Sequence, residues 1–242
     1  MLLWVSLTGI LAAYIAVFLV RISHSRKSIE PEYSNGDALI VFAHPDDETM
    51  FFTPTITMLK RIGIKIHLLC LSDGDYDGLG RIRKKEFVAV SNELGVAKHE
   101  IINDPELADG PREWSADAVV RAVSRYLSRN PTIGAIFTFD GYGVSGHLNH
   151  ISVFKGISLM KRTMQISQRV HYLRSVNIIR KYLPPVDFVI AQVLSDPTPA
   201  VYTDDPFLSL RTMKLYHSQN VWYRKLFTIF SRYSYVNDYI SE

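Results

Sequence analysis

Apolar and polar residues fall in blocks along this chain. The first block, residues 2–20, carries no charge and is broken only by Ser6, Thr8 and Gly9 among its polar or flexible positions. About 19 residues at 1.5 Å rise span roughly 28 Å, close to a bilayer core. Arg21, Arg26 and Lys27 follow at once, and only the amino terminus puts positive charge ahead of the run. The positive-inside tendency therefore predicts a transmembrane anchor over residues 1–22, with the rest of the chain on the cytosolic side. A cleaved signal peptide would place its basic residues before the apolar run, and a core helix is not apolar on every face. Residues 23–36 are polar, with Pro31 and Gly36, and read as a linker.

From residue 37 the blocks shorten. The apolar runs 38–43, 65–71 and 133–139, bounded by Gly, Pro and Asp, predict buried strands, and residues 101–102 a weaker one. Helices are predicted over 50–62 with Pro54 in the first turn, over 81–94 with Gly95 as stop, and over 147–161. A further helix should run to residue 129 behind Ser115 as N-cap, with Val119, Val120, Val123 and Leu127 on its apolar face. Strands alternating with helices predict an α/β fold over residues 37–242: a Rossmann-like, mainly parallel sheet flanked by helices. Beyond residue 169 aromatic and basic residues mix without a clean period, and no element is predicted there. Ligands of such sheets bind beyond the carboxyl ends of the strands. The polar clusters 44–48, 73–77 and 140–150 all fall at that edge.

Composition changes this picture little. The 242 residues are 47% hydrophobic and 21% charged, an ordinary globular balance. A net charge of +3, scattered without runs, gives no reason to expect a nucleic-acid partner. The single cysteine, Cys70, lies inside a predicted strand and reads as an inert core thiol.

The chemistry concentrates in two segments. Ala43-His44-Pro45-Asp46-Asp47-Glu48 follows the first strand, and Gly146-His147-Leu148-Asn149-His150 opens a helix. Imidazole and carboxylate are standard zinc ligands, and histidines three apart share a helix face. Each segment alone has a plainer reading: the acidic triplet as a favourable charge at a helix start, the histidine pair as surface or capping chemistry. Their joint placement at one sheet edge is what raises a metal site above chance.

The string AHPDDE after an apolar strand, with GHLNH about a hundred residues later, resembles the LmbE-like zinc deacetylases. The N-terminal span and the form GVSGHLNH resemble the eukaryotic branch of that family, which acts on N-acetylglucosaminyl-phosphatidylinositol in glycosylphosphatidylinositol biosynthesis. Gly80-x-x-Arg83-x-x-Glu86 and His217-Ser218-Gln219 fit as well, so the resemblance runs from about residue 37 to about residue 219. It implies that His44, Asp47 and His150 bind Zn2+, that Asp46 is the general base, and that a protonated His147 shares the oxyanion charge. Arg83 would meet a substrate phosphate, and Glu48 would support the turn. Ser145 stands where some relatives carry a tyrosine. The implied setting is the endoplasmic reticulum membrane, single-pass, with a glycolipid substrate. The alternatives are a deacetylase of a soluble N-acetylglucosamine conjugate, or a membrane scaffold whose catalysis has lapsed.

Overall fold

Strand β1 (Asp37–Phe42) is apolar at every position after Asp37, because it is covered on both faces. Ala38, Ile40 and Phe42 join one core layer, and Leu39 and Val41 the other. The computed structural model describes residue 9 and residues 36–164, 166–182 and 200–242. The anchor expected over 1–22 and the linker over 23–36 lie outside the described residues, Gly9 and Gly36 aside. Among the described residues no helix is long and apolar enough to cross a membrane.

The fold is mixed α/β, around a seven-stranded sheet of order β3-β2-β1-β4-β5-β7-β6. The other strands are β2 (Ile66–Cys70), β3 (Lys98–Ile101), β4 (Ile133–Phe139), β5 (Arg169–Leu173), β6 (Ala200–Tyr202) and β7 (Val236–Ser241). Strands β3, β2, β1, β4 and β5 pair in parallel. β7 runs antiparallel to both β5 and β6. The strands predicted over 38–43, 65–71 and 133–139 fall within a residue of β1, β2 and β4, the weaker one at 101–102 meets only the last residue of β3, and β5, β6 and β7 lie in the part that carried no readable period.

One sheet face is covered by α1 (Asp47–Phe51), α2 (Thr53–Arg61) and α3 (Gly80–Leu94), joined by α7 (Leu208–Met213) and α8 (Trp222–Phe230) from the C-terminal part. The other is covered by α4 (Ala116–Arg129) and α5 (Leu148–Met164). A short helix α6 (Ile178–Tyr182) follows β5. The single helix expected over 50–62 is two. The chain turns helical already at Asp47, breaks at Phe52 (φ −117°, ψ 4°), and restarts with Pro54 in the first turn of α2. Proline lacks the N–H that would continue α1 but fits an N-terminus, so the break falls just ahead of it. Gly156 lets α5 approach α4 closely: a Cβ there would sit 2.4 Å from the Val119 side chain. Cys70 is fully buried, and burial pushes its thiol well above the ordinary range.

Candidate metal centre

The site begins where β1 ends. The chain reverses at His44-Pro45-Asp46, and Asp46 takes a positive φ of 113°, rare for a residue other than glycine. That conformation is held from three sides. Asp46 O accepts the N–H of Thr49 and Met50 at the start of α1, at 3.1 and 2.9 Å. Its own N–H donates to Glu48 Oε2 at 3.2 Å. Glu48 is fully buried, and Tyr216 Oη donates to its Oε1 at 2.7 Å. Burial outweighs those hydrogen bonds and raises the Glu48 carboxyl to about 8. Glu48 thus supports the turn, anchored by a tyrosine from the C-terminal part.

Asp47 is divided between two tasks. Its Oδ2 accepts the backbone N–H of Ala43 at 3.1 Å and of His44 at 2.9 Å. Its Oδ1 faces His150 Nε2 at 3.3 Å. Burial opposes the Asp47 charge, but His150 and His44 overcome it and hold the carboxyl well below its usual range. His150 stacks on Phe139, centroids 4.1 Å apart and planes within 4°. Its Nδ1 lies 3.1 Å from Gly143 O, which fixes the ring with Nε2 turned to Asp47. His44 Nε2 meets Asp109 Oδ1 and Asn149 Oδ1, both at 3.0 Å, while Nδ1 lies 3.6 Å from Asp47 Oδ2. Burial works against a charge on His44, yet Asp109 and Asp47 raise it to about 10.

His44, His147 and His150 each present a nitrogen within 4.8 Å of the others. His147 belongs to this cluster but is exposed. Burial by its neighbours and the nearby His150 and His44 lower it to about 4. The backbone N–H of Asn149 donates to its Nδ1 at 3.3 Å, which puts the ring proton on Nε2. In place of the expected protonated His147, the geometry offers a neutral imidazole that still has an N–H to donate.

Asp46 is 3% exposed, and its two oxygens face two cations. Arg83 Nη2 donates to Oδ1 at 3.2 Å. Arg224 Nε stands 3.3 Å from Oδ2, close enough for ion pairing but outside hydrogen-bond geometry, so Oδ2 is left without a hydrogen-bond donor. Burial raises the Asp46 carboxyl, with Arg83 and Arg224 pulling the other way. A raised carboxylate with an open oxygen suits a general base.

Arg83 takes partners other than the expected phosphate. Its side chain is 8% exposed, and the guanidinium donates to Pro45 O and Gly74 O as well as Asp46; Asp109 Oδ2 lies 3.7 Å away. Gly74, at φ +69°, clears its path: a Cβ there would overlap the guanidinium at 2.5 Å. Three residues on, Glu86 accepts the N–H and the hydroxyl of Ser218, at 2.8 and 2.5 Å. The Gly80-x-x-Arg83-x-x-Glu86 and His217-Ser218-Gln219 segments are thereby one structural unit.

The donor set fits a divalent metal. The nitrogens of His44, His147 and His150 converge, and the Asp47 carboxylate faces His150 at 3.3 Å and His44 at 3.6 Å, so imidazole and carboxylate donors of the kind that hold catalytic zinc stand together. Three buried or half-buried carboxylates, Asp46, Asp47 and Asp109, stand around His44 and Arg83, and their negative charge favours a cation among them. Sequence reasoning missed Asp109, Asn149, Tyr216 and Arg224. Asp109 follows β3 at the same carboxyl edge, but only a weak strand was legible there, so the loop after it drew no notice. Tyr216 and Arg224 lie where no element was predicted.

A mixed α/β sheet with this cluster at its carboxyl edge suits a metal-dependent hydrolase. The chain belongs to the PIG-L family, described as GlcNAc-PI de-N-acetylase, whose model matches residues 39–160. It is 34% identical over 230 residues to the probable N-acetylglucosaminyl-phosphatidylinositol de-N-acetylase of Schizosaccharomyces pombe, covering 90% of this chain and 92% of that one. The N-acetylglucosaminyl-phosphatidylinositol de-N-acetylase of Bos taurus is 36% identical over 205 residues, covering 82% and 81%. Among solved structures, N,N'-diacetylchitobiose deacetylase from Pyrococcus horikoshii has the same fold, with TM-score 0.59, 17% identity, and 87% and 85% of the two chains covered.

Proposed function

We propose that this chain removes the acetyl group from N-acetylglucosaminyl-phosphatidylinositol to give glucosaminyl-phosphatidylinositol, the second step of glycosylphosphatidylinositol anchor biosynthesis. It would do so at the endoplasmic reticulum membrane, tethered through residues 1–22, with the catalytic domain in the cytosol. The observation that carries this reading is the buried Oδ2 of Asp46, left without a hydrogen-bond donor, on the residue next to Asp47, whose Oδ1 faces His150 Nε2, in a chain so similar to enzymes named for that substrate.

His44, Asp47 and His150 are the residues that would hold Zn2+. Bound there, zinc supplies a Lewis acid and brings the pKa of water down to about 7. Asp46 accepts a proton from the attacking water at Oδ2. As the acetamide carbonyl oxygen gains charge, the Nε2–H of His147 donates to it. Asp46 then returns its proton to the departing amine nitrogen, so water and amide become acetate and a free glucosamine amine. Arg83 and Arg224 keep Asp46 aimed and lower its carboxyl against the effect of burial.

The test is metal analysis with a de-N-acetylation assay on the lipid substrate, for wild type and Asp46→Ala. Asp46→Ala should keep its metal and lose roughly 10²–10⁴-fold in kcat, the contribution of a positioned base. Chelation should abolish turnover and zinc restore it. Full activity in Asp46→Ala would overturn the mechanism, and hydrolysis of a soluble N-acetylglucosamine conjugate in preference to the lipid would overturn the substrate.

A further inference from the structure

Helix α8 is apolar on the wrong side for a helix facing water. Its inner face is occupied: Phe227 packs on Phe51, centroids 5.5 Å apart, Thr228 is buried, and Arg224 reaches Asp46. Its outer face should then be polar. Instead Trp222 is 71% exposed, Tyr223 53%, Leu226 45%, Ile229 43% and Phe230 53%. At 3.6 residues per turn these five share an arc of roughly 120°, a continuous stripe opposite the packed side. The neighbouring α6 packs on Phe227 and brings exposed apolar residues of its own. Tyr182 lies 6.2 Å from Phe227, Lys181 Nζ sits over the same ring, and Ile178 and Ile179 are exposed.

The charges beside this apolar surface have one sign. Lys225 on α8 is exposed and Arg180 on α6 is half-buried, Lys181 and Arg224 turn inward to Phe227 and Asp46, and neither helix has an acidic residue. Tryptophan and tyrosine mixed with aliphatic and basic side chains are the composition of helices that lie in a membrane interface, and the basic residues favour anionic lipid. The stripe also adjoins the site. Through Phe51 its inner side contacts the ring of His150, and through Arg224 it contacts the base.

We propose that the outer face of α8, with α6 beside it, is a docking surface for an anionic phospholipid bilayer. Seated there, it holds the metal centre at the headgroup level, where a lipid-linked sugar meets Asp46 without leaving the membrane. This surface is separate from the tether proposed for residues 1–22. Its catalytic consequence rests on the lipid substrate proposed above; the docking itself does not.

The test uses the full chain in phosphatidylcholine vesicles with and without phosphatidylinositol. On a Cys70→Ala background, an environment-sensitive label is placed by Leu226→Cys and, as control on the exposed part of α4, by Arg125→Cys. The expected result is quenching of the 226 label by lipid-borne quenchers and its protection from aqueous iodide, stronger with phosphatidylinositol, while the 125 label behaves oppositely. Equal iodide access at both positions would overturn the proposal. Protection of 226 that rises with protein density and not with lipid would overturn it too, in favour of a contact between copies. The triple variant Trp222→Ser, Leu226→Ser, Ile229→Ser should lose about tenfold in kcat/KM on vesicle-borne substrate and less than about twofold on a water-soluble short-chain analogue. An equal loss on both would count against docking. If wild type turns over neither substrate, the proposed reaction fails, while the labels still decide the docking face.

Discussion

The parallel part of the sheet and the antiparallel part contribute to the site in different ways. β1 and β4 deliver the reacting groups directly, His44, Asp46 and Asp47 after β1 and His147 and His150 beyond β4, and the loop beyond β3 adds Asp109 against His44. Among the described residues, the part after residue 169 touches the centre through supports: Tyr216 under Glu48, Ser218 on Glu86, and Arg224 at Asp46. The difference follows from geometry. Parallel strands all point their carboxyl ends to one edge, so every loop there can address one point. The antiparallel strands β6 and β7 deliver no such common edge, and their neighbouring helices instead close the site from the side.

Substitutions should separate the two parts. After Asp46→Ala, the largest effect is expected from Asp109→Asn, which withdraws the carboxylate paired with His44 Nε2 at 3.0 Å. Loss of such an orienting partner lowers metal affinity by about 10–100-fold, read by competition with a chelator, and the amide should still leave the fold intact. Unchanged metal affinity would show that Asp109 serves only Arg83.

Arg224→Gln probes the other part. Arg224 lowers the Asp46 carboxyl, so its removal lets that carboxyl rise further. The base is then protonated up to a higher pH, and the acid limb of the kcat/KM profile should move upward. The loss near neutral pH should stay on the order of tenfold or less, since Arg83 remains. A loss equal to that of Asp46→Ala would erase the distinction between delivering and supporting residues.

The smallest effect on chemistry is expected from Asn237→Ala in β7. Asn237 is fully buried; its Oδ1 accepts from Thr55 Oγ1 at 2.8 Å and its Nδ2 donates to Phe51 O at 2.9 Å. Leaving those partners unpaired should destabilise the chain by about 1–3 kcal/mol, measured by urea unfolding, with kcat near wild type. A large fall in kcat with unchanged stability would mean that β7 positions α1, and with it Asp47, for the chemistry.

Much of this was legible in sequence, for identifiable reasons. Strands β1, β2 and β4 are buried on both faces, and a doubly buried strand reads as a near-continuous apolar run, here with His67 in β2 and Thr138 in β4 as its buried polar positions. The metal-site side chains sit within two short segments, so local spacing alone brought His44, Asp46 and Asp47 together, and likewise His147 and His150. β5, β6 and β7 were illegible because their buried positions hold polar or large aromatic residues, such as His171, Tyr172, Asn237 and Tyr239, whose burial depends on partners elsewhere in the chain.

The sequence by itself determined the alternation of strand and helix, the two segments that carry the chemistry, and the family they mark. Only the tertiary structure decided what each atom of those segments does. Asp47 is split between backbone clamp and open oxygen, Asp46 is held at positive φ by Glu48 and Tyr216, and Arg83 is turned inward to the base. Those assignments depend on contacts between residues as far apart as Glu48 and Tyr216, and a chain shows its local periods but not which distant side chains its folding brings within hydrogen-bond reach.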